Sequence, residues 1–456
     1  MPFSRALPAP GSAALARLGL KSDAAASGPM PVPAWLSQIH LPADHYMHRG
    51  APTEWWWHIG TLKTAEGRVF GFEINAASYQ DRGVGFTQVC LADVAADKFY
   101  QRTAWYVPPQ GYDPANWAEH DVTKDWHVGL GSPGSQLSVI DVVSPGTGYS
   151  DGTKVEIIGG GGSQAGAYPV LVGGAIQSIV LVNLGRGYSS APEIKITDPA
   201  GTGSGAAARA VASSVTMDAA WGDPTKNMAV TALLVDVKTG TEVTFDLMLS
   251  QQGAPFLVLG AGLFPLLPGS HGTHLQTNNY YYSLTRLTAA GTITVGSDSY
   301  TVTGLTWMDH QCGFFGSAAH PVRWILQDMQ LENGWSISNF SFPPADGDLQ
   351  PGQIVPGYAT LQGPDGTMYV DLSTSTTLGT PWKSPDSKIT YFMQLQVAIP
   401  SFRAQFTVTS LIQAQEFYSP TGSVYEGVAS VTGTFQGQPV TGGTAWNEQA
   451  MPQPKP

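Results

Sequence analysis

Two short strings hold most of the residues able to do chemistry. The first is Glu54-Trp55-Trp56-Trp57-His58, which sets a carboxylate, an imidazole and three indoles side by side. On a strand side chains alternate, so Glu54, Trp56 and His58 share one face and Trp55 and Trp57 the other. The following run, Val69 to Tyr79, reads as the return strand of a hairpin. A turn at Thr64 to Gly67 sets His58 opposite Glu73 and Trp56 opposite Asn75. On that register two carboxylates, an imidazole, an amide and an indole form one surface, while Trp55, Trp57, Phe70, Phe72 and Ile74 form an apolar one. A His–Glu pair bracing a core hairpin needs the same residues.

The second string is Gly304-Leu305-Thr306-Trp307-Met308-Asp309-His310-Gln311-Cys312-Gly313. Alternation places Trp307, Asp309 and Gln311 on one face, and Met308, His310 and Cys312 on the other, so Asp309 and His310 are no dyad through adjacency. An acid beside Trp in an apolar strand is the arrangement that raises a carboxyl pKa and keeps a proton available for donation near neutral pH. An Asp accepting backbone hydrogen bonds at a bulge is the plainer alternative.

Other candidates are thinner. His271 and His274 in "SHGTH" lie in a Gly/Pro-rich loop with no third ligand nearby, so no metal is expected. No phosphate loop, nucleophile elbow or dinucleotide fingerprint stands in a strand–helix setting. "GAGLFP", Gly260 to Pro265, reads as a pocket rim.

These residues need a scaffold, and composition indicates its kind. The chain has 456 residues, too many for one core, with 12% charged residues, 53 Gly and 34 Pro. Short apolar runs broken by turns recur from Glu54 to Phe435, and helical periodicity is nearly absent. The pattern predicts an all-β protein of antiparallel barrels or sandwiches. Ordered structure is expected from Trp35, after a leader over 1–34. A net charge of −12 with no basic stripe excludes nucleic acid as a partner. No apolar run reaches the roughly 18 residues of a membrane span, and Met1 to Leu20 lacks the apolar core of a signal peptide, which points to the cytoplasm. Cys90 and Cys312 allow one bridge at most.

Gly134 to Ala212 differs in composition, being almost free of aromatics. "VVSPGTGYSDGTKVEI" (Val142 to Ile157) matches "LVNLGRGYSSAPEIKI" (Leu181 to Ile196), and resembles the "GxGYxxxP" β-repeats appended to bacterial and phage surface proteins. This segment is expected to be a small β-module inserted in the first barrel, acting as a spacer or an oligomerisation surface.

"EWWWHIGTL…GRVFGFEI", "GLTWMDHQCG" and the late "YEGVASVTG" (Tyr425 to Gly433) resemble, in order and spacing, the AttH-like, carotenoid hydratase (hydroxyneurosporene synthase) family. That family also includes kievitone hydratase and fungal Diels–Alderases. The resemblance covers roughly Pro42 to Glu448, apart from the inserted repeats. It implies two consecutive lipocalin-like β-barrels, expected here over 35–290 (interrupted by 134–212) and 291–450. It also implies an extended apolar substrate and no bound cofactor; transient membrane contact to collect that substrate is a separate expectation. Cys312 stands where an aromatic is common, and "GGTAWNEQA" departs from the usual Gly-x-Gly-Tyr-x-Glu close around Glu448.

The expected activity is a hydratase or dehydratase acting on an alkene of an isoprenoid-like molecule. Asp309 is the expected acid, Trp307 and Trp55, Trp56 or Trp57 the aromatic wall, and His58 or Glu73 the group that orients water. Gln311, Asn75, Glu54 and Glu426 are expected around the substrate, with Glu54, Glu73 and Glu426 as alternative donors. A pericyclase that only folds a polyene, and a non-catalytic carrier of an apolar ligand, are the other two readings.

Overall fold

The computed structural model describes residues 29–106, 112–131, 136–264, 275–314, 323–344, 347–417 and 423–451. Residues 1–28 and both histidines of "SHGTH" lie outside them, whereas the end of the expected leader is ordered: Val32 is buried and donates its N–H to the Met368 carbonyl at 2.8 Å. Among the described residues all regular structure is β apart from short 3-10 turns, and no helix is long and apolar enough to cross a membrane.

Two antiparallel barrels, closed or nearly so, make up the fold. The first consists of β1 (Thr53–Lys63), β2 (Val69–Tyr79), β3 (Val84–Asp93), β4 (Lys98–Tyr106), β5 (His127–Leu130), β6 (Ser214–Ala219), β7 (Asn227–Val235), β8 (Glu242–Gln251), β9 (Asn279–Val295) and β10 (Asp298–Gly313). Their order is β4-β3-β2-β1-β10-β9-β8-β7-β6-β5. Beyond β7, Val237 donates its N–H to the Gln101 carbonyl of β4 at 3.2 Å, which narrows the remaining gap. The sheet runs on through Gly313, past residue 290 where the sequence reading divided the barrels. The reason is that Thr303–Gly313 of β10 pairs with the whole of β1, so the second chemical string belongs to the first barrel.

The second barrel contains β11 (Trp324–Leu331), β12 (Ser336–Ser341), β13 (Ile354–Gln362), β14 (Met368–Leu378), β15 (Gln394–Ile399), β16 (Ala404–Ser410), β17 (Val424–Phe435) and β18 (Gly443–Ala450). It closes in the order β16-β15-β14-β13-β12-β11-β18-β17, with β17 returning to β16. Two free thiols, Cys90 and Cys312, are both buried.

Each barrel has an apolar interior, and a third apolar layer lies between them. Ile59, Cys90, Tyr281 and Trp307 of the first barrel meet Tyr358, Val428 and Trp446 of the second. Gly71 permits the close approach: a Cβ there would fall 2.3 Å from the Val428 Cβ. Gln330 of β11 donates across the seam to the Thr285 and Thr306 carbonyls at 2.6 and 2.9 Å.

The segment between β5 and β6 folds as a four-stranded and a two-stranded sheet. Val139–Thr147 and Ala175–Arg186, the first strands of the two repeats, pair with each other at the centre. Each then pairs outward with the third strand of the other repeat: Ser204–Val211 on Val139–Thr147, and Ser163–Val172 on Ala175–Arg186. Tyr149 and Tyr188, the repeat anchors, are buried, and each ring covers a glycine, Gly203 and Gly162, where a Cβ would fall within 2.4 and 2.5 Å of it. The flanking strands β5 and β6 pair directly with one another.

Candidate active site

The β1–β2 hairpin has a register one residue away from the expected one. Its connection runs from Thr64 to Arg68, with the Thr64 N–H bonded to the Arg68 carbonyl and Gly67 at φ +88°. Ile59 therefore lies opposite Glu73, Trp57 opposite Asn75, and His58 opposite Ile74. A single-residue shift in pairing moves a whole set of side chains to the other face. The expected surface of Glu54, Trp56, His58, Glu73 and Asn75 is thus divided between two environments.

Glu54, Trp56 and His58 point into the first barrel, on the side of Met308, His310 and Cys312. His58 is fully buried with both ring nitrogens unpartnered among the described residues, and burial pushes its pKa down to about 3. It is a neutral core histidine, separated by the sheet from Asp309. Trp56 stacks on His310 with ring centroids 4.4 Å apart. Glu54 Oε1 meets His48 Nδ1 at 2.8 Å and His310 Nε2 at 3.2 Å. Burial alone would raise the Glu54 pKa, but these two histidines hold it below the usual value.

Trp55, Trp57, Glu73 and Asn75 lie on the opposite face of the hairpin, which they share with Trp307, Asp309 and Gln311 of β10. Ser283 and the Trp307 indole both donate to Asp309 Oδ1, at 2.5 and 2.7 Å. Burial pushes the Asp309 pKa up to about 6, against the pull of hydrogen bonds from Ser283, Trp307 and Tyr281. Gln311 donates to Asn279, and both side-chain ends of Asn75 are buried without a partner among the described residues.

The second barrel adds three more buried acids to this seam, of which sequence reasoning had weighed only Glu426 as a site residue. The Glu426 carboxyl accepts from the Trp446 indole at 2.7 Å, and Glu448 accepts from the Trp324 indole. Burial raises Glu448 to about 7, with the Trp324 hydrogen bond lowering it and the Asp309 charge raising it. Burial likewise drives Asp328 well above the carboxylate range, with Asp309 and Glu448 adding to the effect. Burial and then the charges of Glu448 and Glu73 raise Glu426. Glu73 is also raised by burial and by Glu448, with the Trp57 indole pulling the other way.

Five carboxyls therefore influence one another across the seam, and no lysine or arginine is among the groups shifting their pKa values. Their donors are neutral: indoles and hydroxyls. Like charges that close cannot all ionise in a dry setting, so several protons are retained at neutral pH. A void of ≈10 Å³, about the size that admits one water, lies between Ile59, Trp307, Asp328, Gln330 and Trp446. The arrangement can donate protons to, and take them from, a weakly basic group held among aromatic rings.

Asp328 is not singled out by the sequence reading, and Glu448 enters it only as a departure from the family's close, although a signal exists for both. In Trp324-Ile-Leu-Gln-Asp328 and Trp446-Asn-Glu448 an acid shares a strand face with Trp, as Asp309 does with Trp307.

Comparison with known proteins agrees with this architecture. The structure of an AttH protein from Nitrosomonas europaea superposes with a TM-score of 0.58 at 17% identity, covering 93% of this chain and 99% of that one. Kievitone hydratase from Nectria haematococca superposes with a TM-score of 0.53 at 13% identity, covering 90% and 93%. No curated protein sequence matches. The sequence profile of the AttH-like family matches residues 193–442, which takes in Trp307, Asp309, Asp328 and Glu426. With more than half its length matched and the double barrel in place, the chain belongs to the AttH-like family.

Proposed function

We propose that the protein is a hydratase or dehydratase acting on an alkene of a hydrophobic, isoprenoid-like molecule, with Asp309 as the proton donor at the seam between the barrels. The observation that carries this reading is a set of buried carboxyls with indole and hydroxyl donors and, among the described residues, no lysine or arginine shifting their pKa values, in which Asp309 is raised to about 6. A cation would fix these acids as carboxylates; neutral donors leave the proton exchangeable.

In the hydration direction the Asp309 proton adds to one alkene carbon, leaving a carbocation at the other. The faces of Trp57, Trp307 and Trp446 stabilise that charge, by about 0.5–2 kcal/mol per ring. Water then forms the C–O bond, and its surplus proton passes to a carboxylate of the set, Glu448 or the newly ionised Asp309. Alkene and water become alcohol, with no electron transferred to or from an outside group, so the chemistry requires only acid, base and position. Dehydration is the reverse. The void beside Asp328 matches a single water, and a substrate's reacting end must part side chains of the seam to reach it. The same fold is found in kievitone hydratase.

Asp309→Asn tests the proposal, since it keeps the shape and removes the exchangeable proton. Turnover of a trisubstituted isoprenoid alkene should fall by roughly 10²–10⁴-fold with KM nearly unchanged. A folded variant that binds substrate and keeps most of its activity would overturn the acid role. An orientation-only pericyclase would then lead, and a chain that binds polyenes but turns over none would be a carrier.

A further inference from the structure

The interior face of β10 carries a second cluster that the seam chemistry does not use. His48, Glu54 and His310 each offer a ligand atom, and all three atoms lie within 4.8 Å of one another. We propose that these three residues form a site for a divalent transition metal of the Zn²⁺ class at the mouth of the first barrel.

The spacing suits an ion. In a tetrahedral site with metal–ligand bonds near 2.0–2.1 Å, ligand atoms stand about 3.3 Å apart. Here Glu54 Oε1 is 2.8 Å from His48 Nδ1 and 3.2 Å from His310 Nε2, so the atoms need only small shifts to accept one. Two imidazoles and one carboxylate form the set that catalytic zinc sites commonly use, with a fourth position left for water or ligand.

The surroundings match as well. A metal-bound histidine usually engages its other ring nitrogen with a carboxylate or similar partner, which fixes its orientation. His48 Nε2 lies 3.5 Å from Asp44 Oδ1, and His310 Nδ1 lies 3.3 Å from the Tyr282 hydroxyl. The Glu54 carboxylate is held by the His48 backbone N–H, at 3.1 and 3.0 Å to its two oxygens.

The site also has room for a fourth ligand. A cavity of ≈220 Å³ is lined by Asp44, His48, Tyr280, Tyr282, His310 and Cys312. Water, or the Cys312 thiolate, can complete the coordination from that side. Asp309 lies on the opposite face of the same strand, so this site stands apart from the proposed hydration chemistry.

The test uses the untagged full chain, stripped with a chelator and titrated with Zn²⁺ by calorimetry and with Co²⁺ by absorption. The expected result is one ion per chain and a visible Co²⁺ d–d band of low-symmetry, four- or five-coordinate type. His48→Ala and His310→Ala should abolish both, and Asp44→Asn should weaken Zn²⁺ binding by roughly 10–100-fold. Should His310→Ala fail to fold, His48→Ala decides alone, because that ring is 23% exposed and its removal is tolerated more easily. A wild-type chain without the band, or a band unchanged in His48→Ala, overturns the proposal.

Discussion

The two faces of β10 show how one strand can keep buried acids in opposite states. Toward the barrel interior, Glu54 meets His48 and His310 and is held ionised. Toward the seam, Asp309 meets Ser283, Trp307 and four other acids, and its pKa is raised. Both carboxyls are buried, so burial does not distinguish them. The difference is whether the donor can carry a positive charge. An imidazole takes up a proton and becomes a counter-ion, whereas an indole only donates a hydrogen bond and leaves desolvation dominant. An ion-paired histidine cluster and an acid of raised pKa thus stand a single residue apart along the chain, at His310 and Asp309.

The largest expected departure from this comparison, after loss of turnover in Asp309→Asn, comes from removing the charge on the interior side. Glu54→Gln leaves the half-buried His48 without its closest counter-ion, and because Asp44 still faces that ring the expected cost is about 2 kcal/mol, less than for a fully buried pair. Denaturant unfolding should show that loss at pH 7. A change below about 1 kcal/mol would mean that the interior histidines are neutral, and the contrast between the faces would fail.

pH dependence separates the faces by sign. Asp309 and Glu448 are raised from 3.8 and 4.5 to about 6 and about 7, so their contribution to stability is full below the unfolded values and is lost as pH rises through 6 to 7. Glu54 is lowered, so its contribution is present above 4.5 and is lost as pH falls through its folded value. Melting temperature against pH should therefore decline between about pH 4 and 7 in the wild type. In Asp309→Asn that decline should be shallower. As a general acid Asp309 must be protonated, so kcat/KM should fall about tenfold per pH unit once pH exceeds its pKa. A rate that rises through this range would assign Asp309 as a base.

A smaller effect is expected at His58. Its two ring nitrogens are buried and unpartnered among the described residues, and replacing an unsatisfied polar group by an apolar one of similar size is close to neutral or favourable. His58→Leu should stabilise the chain by about 1 kcal/mol and leave turnover intact. A loss of turnover beyond about tenfold would return His58 to the chemistry.

The smallest effect is expected from replacing residues 134–212 by a short Gly/Ser link. We propose that this module folds independently of the barrels: β5 and β6 pair directly, so a tight hairpin can join them. Its main polar tie is Arg102 of β4, which donates to Asp141 at 2.8 Å and becomes open to water on removal. The thermal transition should move by less than about 5 °C. A chain that no longer folds would show the module to be part of the first barrel.

By itself the sequence determined the β character, through short alternating runs and frequent turns, and it determined which residues share a strand face. Trp307, Asp309 and Gln311 lie together, with Met308, His310 and Cys312 opposite, because alternation is a property of the extended backbone. The strings EWWWH and TWMDHQC marked the strands around which both clusters assemble. Tertiary structure decided which faces meet. A connection through Arg68 shifted the β1–β2 register by one residue and moved Glu73 from His58's side to Asp309's, a change that no periodicity reveals because each strand keeps its own alternation. The acids Asp328, Glu426 and Glu448 reach the seam only because the two barrels pack there, and Gly71 allows the approach. Their raised pKa values come from desolvation and from one another, which exist only once distant segments have excluded water together.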